Sequence, residues 1–204
     1  MSSKACAEII ESSLNAWLAQ SWDWSFFVPY GSLIVVESPP LTLFGIVYQI
    51  QTGSMDPSRH PFPYRKTHAE LLAEQPQIFE FLKTTFSCLA VGFMKEDTIF
   101  HIMPPQPPSI HSFLSVASAE LSKKFFSNDR YLPLLFSSKI QDLDEIILTL
   151  ISRLFSDKIM SKERLMGFMR TYSLLTSNDY RRMKLFLQRL EPLVCHKDPM
   201  IFHD

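Results

Sequence analysis

The sequence contains few glycines and few cysteines, and both shortages exclude classes of function. Its 204 residues include 5 glycines, which never lie close together. A P-loop or a dinucleotide-binding turn needs clustered glycines, because backbone amides must approach the phosphates closely. The 3 cysteines are odd in number and far apart, which argues against a disulfide framework and fits a reducing compartment. A P-loop ATPase is therefore excluded, and a cytoplasmic protein is expected.

Excess charge and long apolar runs are also missing. The chain has 20 Lys and Arg against 21 Asp and Glu, so its formal net charge is −1. This balance does not by itself indicate nucleic acid or an acidic membrane surface as a partner. The longest apolar run, at 44–48, falls far short of the roughly 20 residues of a membrane helix. The first residues carry Glu8 and Glu11 and do not resemble a signal peptide. No membrane partner is expected.

The residues that hold metals and cofactors are scattered. Only Cys195, His196 and His203 cluster, and they fall in a predicted tail, so neither a metal nor a cofactor is expected. Cys88 lies within an apolar strand pattern, where a buried small side chain explains it.

No catalytic residue is assigned, and we expect a protein that is not an enzyme. A Gly-x-Ser-x-Gly elbow is absent from the sequence. The enzyme alternative would have to use His60 or His111 together with a carboxylate that spacing does not identify.

Hydrophobic residues make up 46% of the chain, enough to bury a core. We divide it into an N-terminal helix at 1–21, a β-barrel-like domain at 22–116 with a helical insertion at 67–83, an α-helical region at 117–190 and a tail at 191–204. The first helix is predicted over 4–20 by apolar residues at helical spacing, namely Ile9, Ile10, Leu14, Trp17 and Leu18.

The β-rich part contains two well-marked strands. Segments 31–38 and 43–51 are rich in β-branched and aromatic residues, and the short PPLT connection between them predicts antiparallel pairing. Thr67 and Glu70 form a capping-box pattern that predicts the start of a helix. Further strands are predicted at 86–94, 99–103 and 109–116.

From residue 117 onward the patterns are helical only. Helices are predicted at 119–126, at 131–136, from 143 along a regular apolar stripe, after a cap at Ser161, and after a cap at Ser177 or Asn178. The predicted fold class is α+β: a small antiparallel β-barrel with a helical insertion, followed by an α-helical C-terminal region.

Three stretches of the β part resemble a known family. GSLIVVES followed by LFGIVYQIQTG looks like a strand pair of the HAS-barrel, the small β-barrel of HerA-type hexameric ATPases and ATP synthase subunits, and HIMPPQPPSIHSF is similar to its proline-rich approach to a closing strand. The resemblance covers about 28–116. It implies an assembly or docking role, without ATPase activity, because the family's P-loop motor has no counterpart in this chain. No catalytic residue is implied.

Two stretches could bind a partner. The loop 53–66 places cations among aromatic residues and prolines, and the last predicted helix has a basic outward face. The candidate binding residues are Trp22, Trp24, Arg59, His60, Phe62, Tyr64, Arg65, Lys66, Arg181, Arg182, Lys184 and Arg189.

The first hypothesis is a non-enzymatic interaction or assembly module that binds a protein, including a second copy of itself, through aromatic anchors. The alternative is a nucleic-acid-binding module, which would need the cations of the loop and of the last helix on one face.

Overall fold

A computed structural model of the protein describes residues 4–56, 58, 62–138 and 140–195. The strands are β1 (Ala7–Ser12), β2 (Ala16–Ser21), β3 (Leu33–Ser38), β4 (Leu41–Ser54), β5 (Leu82–Lys95), β6 (Thr98–Phe100) and β7 (Phe113–Val116). The helices are α1 (His68–Glu74), a 3₁₀ helix (Pro76–Phe81), α2 (Ala119–Phe125), α3 (Leu132–Ser137), α4 (Leu143–Ser156), α5 (Lys162–Leu175) and α6 (Tyr180–Cys195).

Six of the strands close into an antiparallel barrel. The order around it is β1, β2, β5, β4, β3, β7 and back to β1, and every neighbouring pair is antiparallel. The strand β6 pairs only with the far end of β5 and lies outside this ring. Closure removes the sheet edges along most of the barrel, which limits unwanted strand pairing. The predicted fold class, α+β with a small antiparallel barrel, is confirmed.

The N-terminal segment is not the predicted helix. It forms the hairpin of β1 and β2, in which Ala7, Ile9, Trp17 and Ala19 are buried and alternate with less buried residues. The apolar spacing at 9–18 fits a helix as well as two short strands. Pairing with β5 and β7 supplies backbone hydrogen bonds that the local sequence does not reveal. The barrel therefore begins at Ala7, not near residue 22.

Two apolar cores meet on opposite faces of the barrel wall. Along β3, Ile34 and Val36 belong to the cluster inside the barrel, whereas Leu33 and Val35 belong to the cluster shared with the helices. This division follows from the alternation of side chains along a strand. The outer cluster takes strand residues from β3, β4 and β5, and buried residues from α2 to α6.

The helical insertion follows its local sequence closely. Thr67 accepts a hydrogen bond from the Glu70 amide, and the Glu70 carboxylate accepts one from the Thr67 amide, so the predicted capping box is confirmed. Pro76 then begins a 3₁₀ helix that leads into β5. The insertion connects the long strands β4 and β5.

The C-terminal helices also follow the predicted pattern, with two corrections at α6. Ser161 caps α5 as predicted. The side chain that accepts a hydrogen bond at the start of α6 is Asp179, bonded by the Arg182 amide at 3.0 Å, and not Ser177 or Asn178. The predicted tail is helical up to Cys195, with Pro192 inside α6. Residues 196–204 lie outside the described residues.

Candidate interaction surfaces

The loop 53–66 presents an exposed aromatic pair. Phe62 and Tyr64 meet edge-on with ring centroids 5.9 Å apart, and the Phe62 side chain is 71% exposed. Arg65 is exposed and has a positive φ of 57°, and Lys66 forms an ion pair with Glu74 of α1. Arg59 and His60, also predicted to bind, lie outside the described residues. The described part of the loop therefore offers two aromatic rings, the exposed Arg65, and Lys66, which is already paired with Glu74.

Trp24 packs within the molecule. Its ring stacks on Phe79 with centroids 5.1 Å apart and planes 17° from parallel, and His68 lies against both rings. The Trp24 carbonyl accepts a hydrogen bond from the Thr84 hydroxyl. These contacts attach the helical insertion to the barrel, so they favour a structural role for Trp24 over that of a partner anchor.

Trp22, two residues earlier, points to solvent. Its side chain is 55% exposed and meets the ring of Phe113 edge-on at 5.3 Å, and Phe113 is itself 58% exposed. Phe113 lies opposite Glu8 in the pairing of β7 with β1. The pair therefore marks the outer face of β1, β2 and β7.

This face carries no helix from the part of the chain that the structure describes. The cluster shared with the helices contains no residue of β1, β2 or β7, and the outward residues Ile10 and Leu18 remain half-exposed. We name Glu8, Ile10, Leu18, Trp22 and Phe113 the bare barrel face. Exposed aromatic side chains that contact each other, as Trp22 and Phe113 do, are typical of interaction sites.

A contact between a histidine and a carboxylate borders the bare barrel face. The Nδ1 atom of His111 lies 2.5 Å from a carboxylate oxygen of Glu8. This is a histidine with a carboxylate that spacing alone did not identify, because 103 residues separate the two. Both sit on the surface and not in a cleft, and a positioned acid–base pair in a water-excluding site is what catalysis would require.

The basic face of α6 is partly neutralised by α4. Asp144 accepts hydrogen bonds from Arg182 Nε at 2.9 Å and Nη2 at 2.7 Å, and from the Tyr172 hydroxyl at 2.9 Å. The Arg182 guanidinium also lies over the Phe136 ring, 5.7 Å from its centroid. A planar guanidinium bound at two points is held in place, so Arg182 joins α4, α5 and α6.

Arg189 is likewise bound to a carboxylate of α4. Both its terminal nitrogens donate to the Glu145 carboxylate, and this contact is the main reason why the pKa of Glu145 is lowered. Arg181 and Lys184 remain exposed. No hydrogen bond, ion pair or ring contact within the described residues joins the loop 53–66 to α6. As far as the structure describes them, the two predicted basic segments are therefore not in direct contact.

Replacing Arg182 with alanine should destabilise the protein. The change removes two charge-assisted hydrogen bonds and leaves Asp144 with the Tyr172 hydroxyl only, and because the pair is about one-third exposed we expect a loss of about 1–2 kcal/mol. The neighbouring cation Arg181 provides a matched control, whose replacement with alanine should change the free energy of unfolding by less than about 0.5 kcal/mol. Urea unfolding followed by circular dichroism measures both, and equal effects of the two substitutions would show that the pair with Asp144 contributes nothing.

The two thiols that the structure describes, those of Cys6 and Cys88, are poorly placed for nucleophilic chemistry. Cys88 is fully buried inside the barrel, and burial raises the pKa of its thiol. Burial also raises the pKa of the Cys6 thiol, which contacts the Leu114 carbonyl oxygen at 3.6 Å. A raised pKa leaves little thiolate at neutral pH. Among the described residues, no group of three or more His, Cys, Asp or Glu side chains could hold a metal ion.

A broad groove lies beside β4, and the sequence did not predict it. Its volume is about 1020 Å³, and its walls come from the start of β2, the middle of β4, Leu89 of β5, Tyr30 and the α3–α4 connection. Burial, together with the negative charges of Asp142 and Glu145, raises the pKa of Tyr30 to about 12.

Sequence reasoning missed Phe113 of the bare barrel face, and it also missed Tyr30 and Tyr48 of the groove. The sequence did contain a signal for Phe113. In a strand over 109–116, Phe113 lies on the same side as the polar residues His111 and Ser115, and this indicates an exposed aromatic side chain. Tyr30 and Tyr48 gave none, since they become neighbours of the α3–α4 connection only through the fold.

Comparison of the chain with models of known protein families gives no match, and comparison with curated proteins gives none. No helix in the described part of the chain has the length and apolar character needed to cross a membrane.

Proposed function

We propose that the protein is a non-enzymatic interaction and assembly module whose barrel binds a protein partner, including a second copy of itself. The observation that carries the proposal is the bare barrel face, where Trp22 and Phe113 form an exposed aromatic pair on strands without helical cover. Aromatic anchors at the centre of an apolar patch supply most of the binding energy in protein interfaces.

The surroundings of the pair suit a protein partner better than a phosphate backbone. The bare barrel face carries the carboxylate of Glu8 beside Phe113, and the His111 ring is hydrogen-bonded to this carboxylate. A single strand of nucleic acid needs a basic groove beside its stacking rings. Of the four cations predicted on α6, Arg182 and Arg189 are bound to carboxylates of α4. The nucleic-acid alternative is therefore the weaker proposal.

We also propose kinship with the HAS-barrel family. It is supported by the closed six-stranded antiparallel ring, in which two of the three stretches that carry the resemblance contain β3 and β4, which are hydrogen-bonded neighbours. In that family the barrel serves assembly, which agrees with a role for the bare barrel face.

Removing either ring of the aromatic pair should weaken assembly. We expect wild-type protein to form a discrete oligomer in light scattering during size-exclusion chromatography at low and at high salt. Trp22→Ala or Phe113→Ala should weaken association by about 2 kcal/mol, or roughly 30-fold. Tyr180→Ala is the matched control, because Tyr180 is an exposed aromatic residue on α6, and its loss should leave the mass unchanged.

Three outcomes separate the hypotheses. If wild-type protein is a monomer, the proposal requires a different protein partner. A pull-down should then recover a protein that binds the wild-type bait and does not bind the Phe113→Ala bait. Nucleic acid that co-elutes at low salt and is lost at high salt would promote the alternative. A monomer with no Phe113-dependent partner would contradict the proposal.

A further inference from the structure

The outward side of α5 is exposed along the first half of the helix. Phe168 is buried on the inner side, in the core that the helices share with the barrel wall. On the opposite side Met166 is 62% exposed, and Glu163, Gly167 and Arg170 are exposed beside it. All of α5 falls within the described residues. We name Glu163, Met166, Gly167 and Arg170 the outer α5 face.

The spacing of these four residues places them on one stripe of the helix. They stand at positions i, i+3, i+4 and i+7, which fall within about 100° of each other around an α-helix. The same spacing forms the contact seam of paired helices. Lys162 and Arg164 flank Glu163 in the sequence but point about 100° to either side of it, and Arg164 is ion-paired with Asp129. The stripe therefore carries one negative charge at its start and one positive charge at its end.

Gly167 leaves a gap in the middle of the stripe. A Cβ atom built at Gly167 meets nothing within 4 Å. Glycine inside a helix is destabilising relative to alanine, and no neighbour among the described residues requires it at this position. The distance between two packed helices depends on the side chains at their contact, so a glycine lets a second helix approach closely. The outer α5 face therefore has the shape of a helix-packing surface.

The two charges of the stripe complement each other across a two-fold axis. The Arg170 side chain has no ion pair or hydrogen bond with another described residue. Hydrogen bonds from its own amide and from Ser161 lower the pKa of Glu163, so this carboxylate is charged at neutral pH. When two α5 helices pair antiparallel about an axis between residues 166 and 167, Glu163 of each copy faces Arg170 of the other, because both stand equally far from the axis. Met166 then meets the second copy's Met166 beside the axis.

We propose that the outer α5 face binds the same face of a second copy of the protein, as an antiparallel helix pair with an ion pair between Glu163 and Arg170 at each end. An isologous contact of this kind uses each residue twice, so one complementary pair of charges supplies two ion pairs. The contact of one helix pair is small, and the dimer is therefore weak and concentration-dependent. This surface belongs to the helices, which leave the bare barrel face uncovered, and it goes beyond the proposed function.

Sedimentation equilibrium of the Phe113→Ala variant tests the proposal, because this background weakens association through the bare barrel face. We expect a monomer–dimer equilibrium. Adding Arg170→Glu replaces two attractive contacts with two repulsive ones and should raise the dissociation constant about tenfold. Combining Arg170→Glu with Glu163→Arg restores opposite charges at both ends of the helix pair and should recover most of the affinity.

Two further variants separate this contact from general effects of charge and stability. Arg181→Glu reverses an exposed cation on α6, outside the outer α5 face, and should leave the dissociation constant unchanged. Gly167→Gln places a side chain where the second helix would lie and should weaken the dimer by about tenfold or more. The thermal midpoint of the Gly167→Gln monomer should not fall, because glutamine favours a helix more than glycine does.

Three results would overturn the proposal: a monomer at every concentration, an unchanged dissociation constant with Arg170→Glu, or no recovery in the double variant that swaps the charges. The two proposed surfaces can fail separately. If Phe113→Ala has no effect on association and Arg170→Glu disrupts it, the role of the bare barrel face fails and the α5 contact stands. If Phe113→Ala weakens association and Arg170→Glu does not, the reverse holds.

Discussion

Replacement of Trp17 with alanine is expected to lower the free energy of unfolding by about 3–5 kcal/mol, a large part of the stability of an ordinary domain. Trp17 lies on β2, is 2% exposed and fills the inside of the barrel. Its ring reaches so near Gly45 that a side chain there would meet Trp17 Cζ3 at 2.9 Å. Alanine would leave a cavity that the closed barrel wall cannot collapse to fill.

Trp22, an exposed tryptophan of the same region, supplies the control. Trp22→Ala removes an indole that is mostly exposed, and the free energy of unfolding should change by less than about 1 kcal/mol. Trp17→Phe should fall between the two, because it restores most of the volume and removes an indole N–H that has no hydrogen-bond partner within the described residues. Urea denaturation with circular dichroism measures all three, and similar values for Trp17→Ala and Trp22→Ala would show that the barrel interior is not packed around Trp17.

Gly92→Ala is the second substitution with a large expected effect. Gly92 lies at a bulge of β5, with φ at 153°, and a Cβ atom built there would lie 2.4 Å from the carbonyl oxygen of Phe100. That neighbour is backbone, so relief requires β5 and the end of β6 to move apart. Because of this strain, we expect Gly92→Ala to lower the free energy of unfolding by about 2–4 kcal/mol.

Gly53→Ala is the matched control for Gly92→Ala. Gly53 lies in β4, and a Cβ atom there meets nothing within 4 Å. The substitution should be neutral or slightly stabilising, because alanine restricts the unfolded chain more than glycine does. Thermal unfolding followed by calorimetry compares the two variants. A neutral Gly92→Ala would mean that the approach of β5 to Phe100 is loose enough to admit a methyl group.

Local chemistry made several elements predictable. The capping box of Thr67 and Glu70 and the cap at Ser161 depend on residues three positions apart, and all formed as expected. The antiparallel pair β3 and β4 followed from two runs of strand-forming residues and a short connection. In each case the stabilising contacts lie within a few residues of each other.

The N-terminal segment shows where this reasoning failed. Ile9, Trp17 and their neighbours satisfy helical spacing, and no short-range signal separates that pattern from two strands of six residues. The deciding interactions are with β5 and β7, far along the chain. Tertiary pairing overrides local preference in such segments.

For the candidate binding residues, too, the sequence identified the side chains but the fold decided their roles. Sequence composition singled out Trp22, Trp24 and Arg182, but it could not assign their roles. Trp24 lies against Phe79, and Arg182 binds Asp144 on another helix, whereas Trp22 reaches the surface beside Phe113. Each outcome depends on a partner more than 35 residues away in the chain.

The sequence by itself determined the α+β class, the capped helices, the antiparallel pair β3 and β4, and the absence of a glycine-rich phosphate loop, because spacing and nearby side chains govern all of these. Only the tertiary structure decided that the barrel closes through β1 and β2, and which aromatic residues are buried. Those features arise from contacts between distant segments, whose free energies depend on which groups the fold brings together and which it leaves to water.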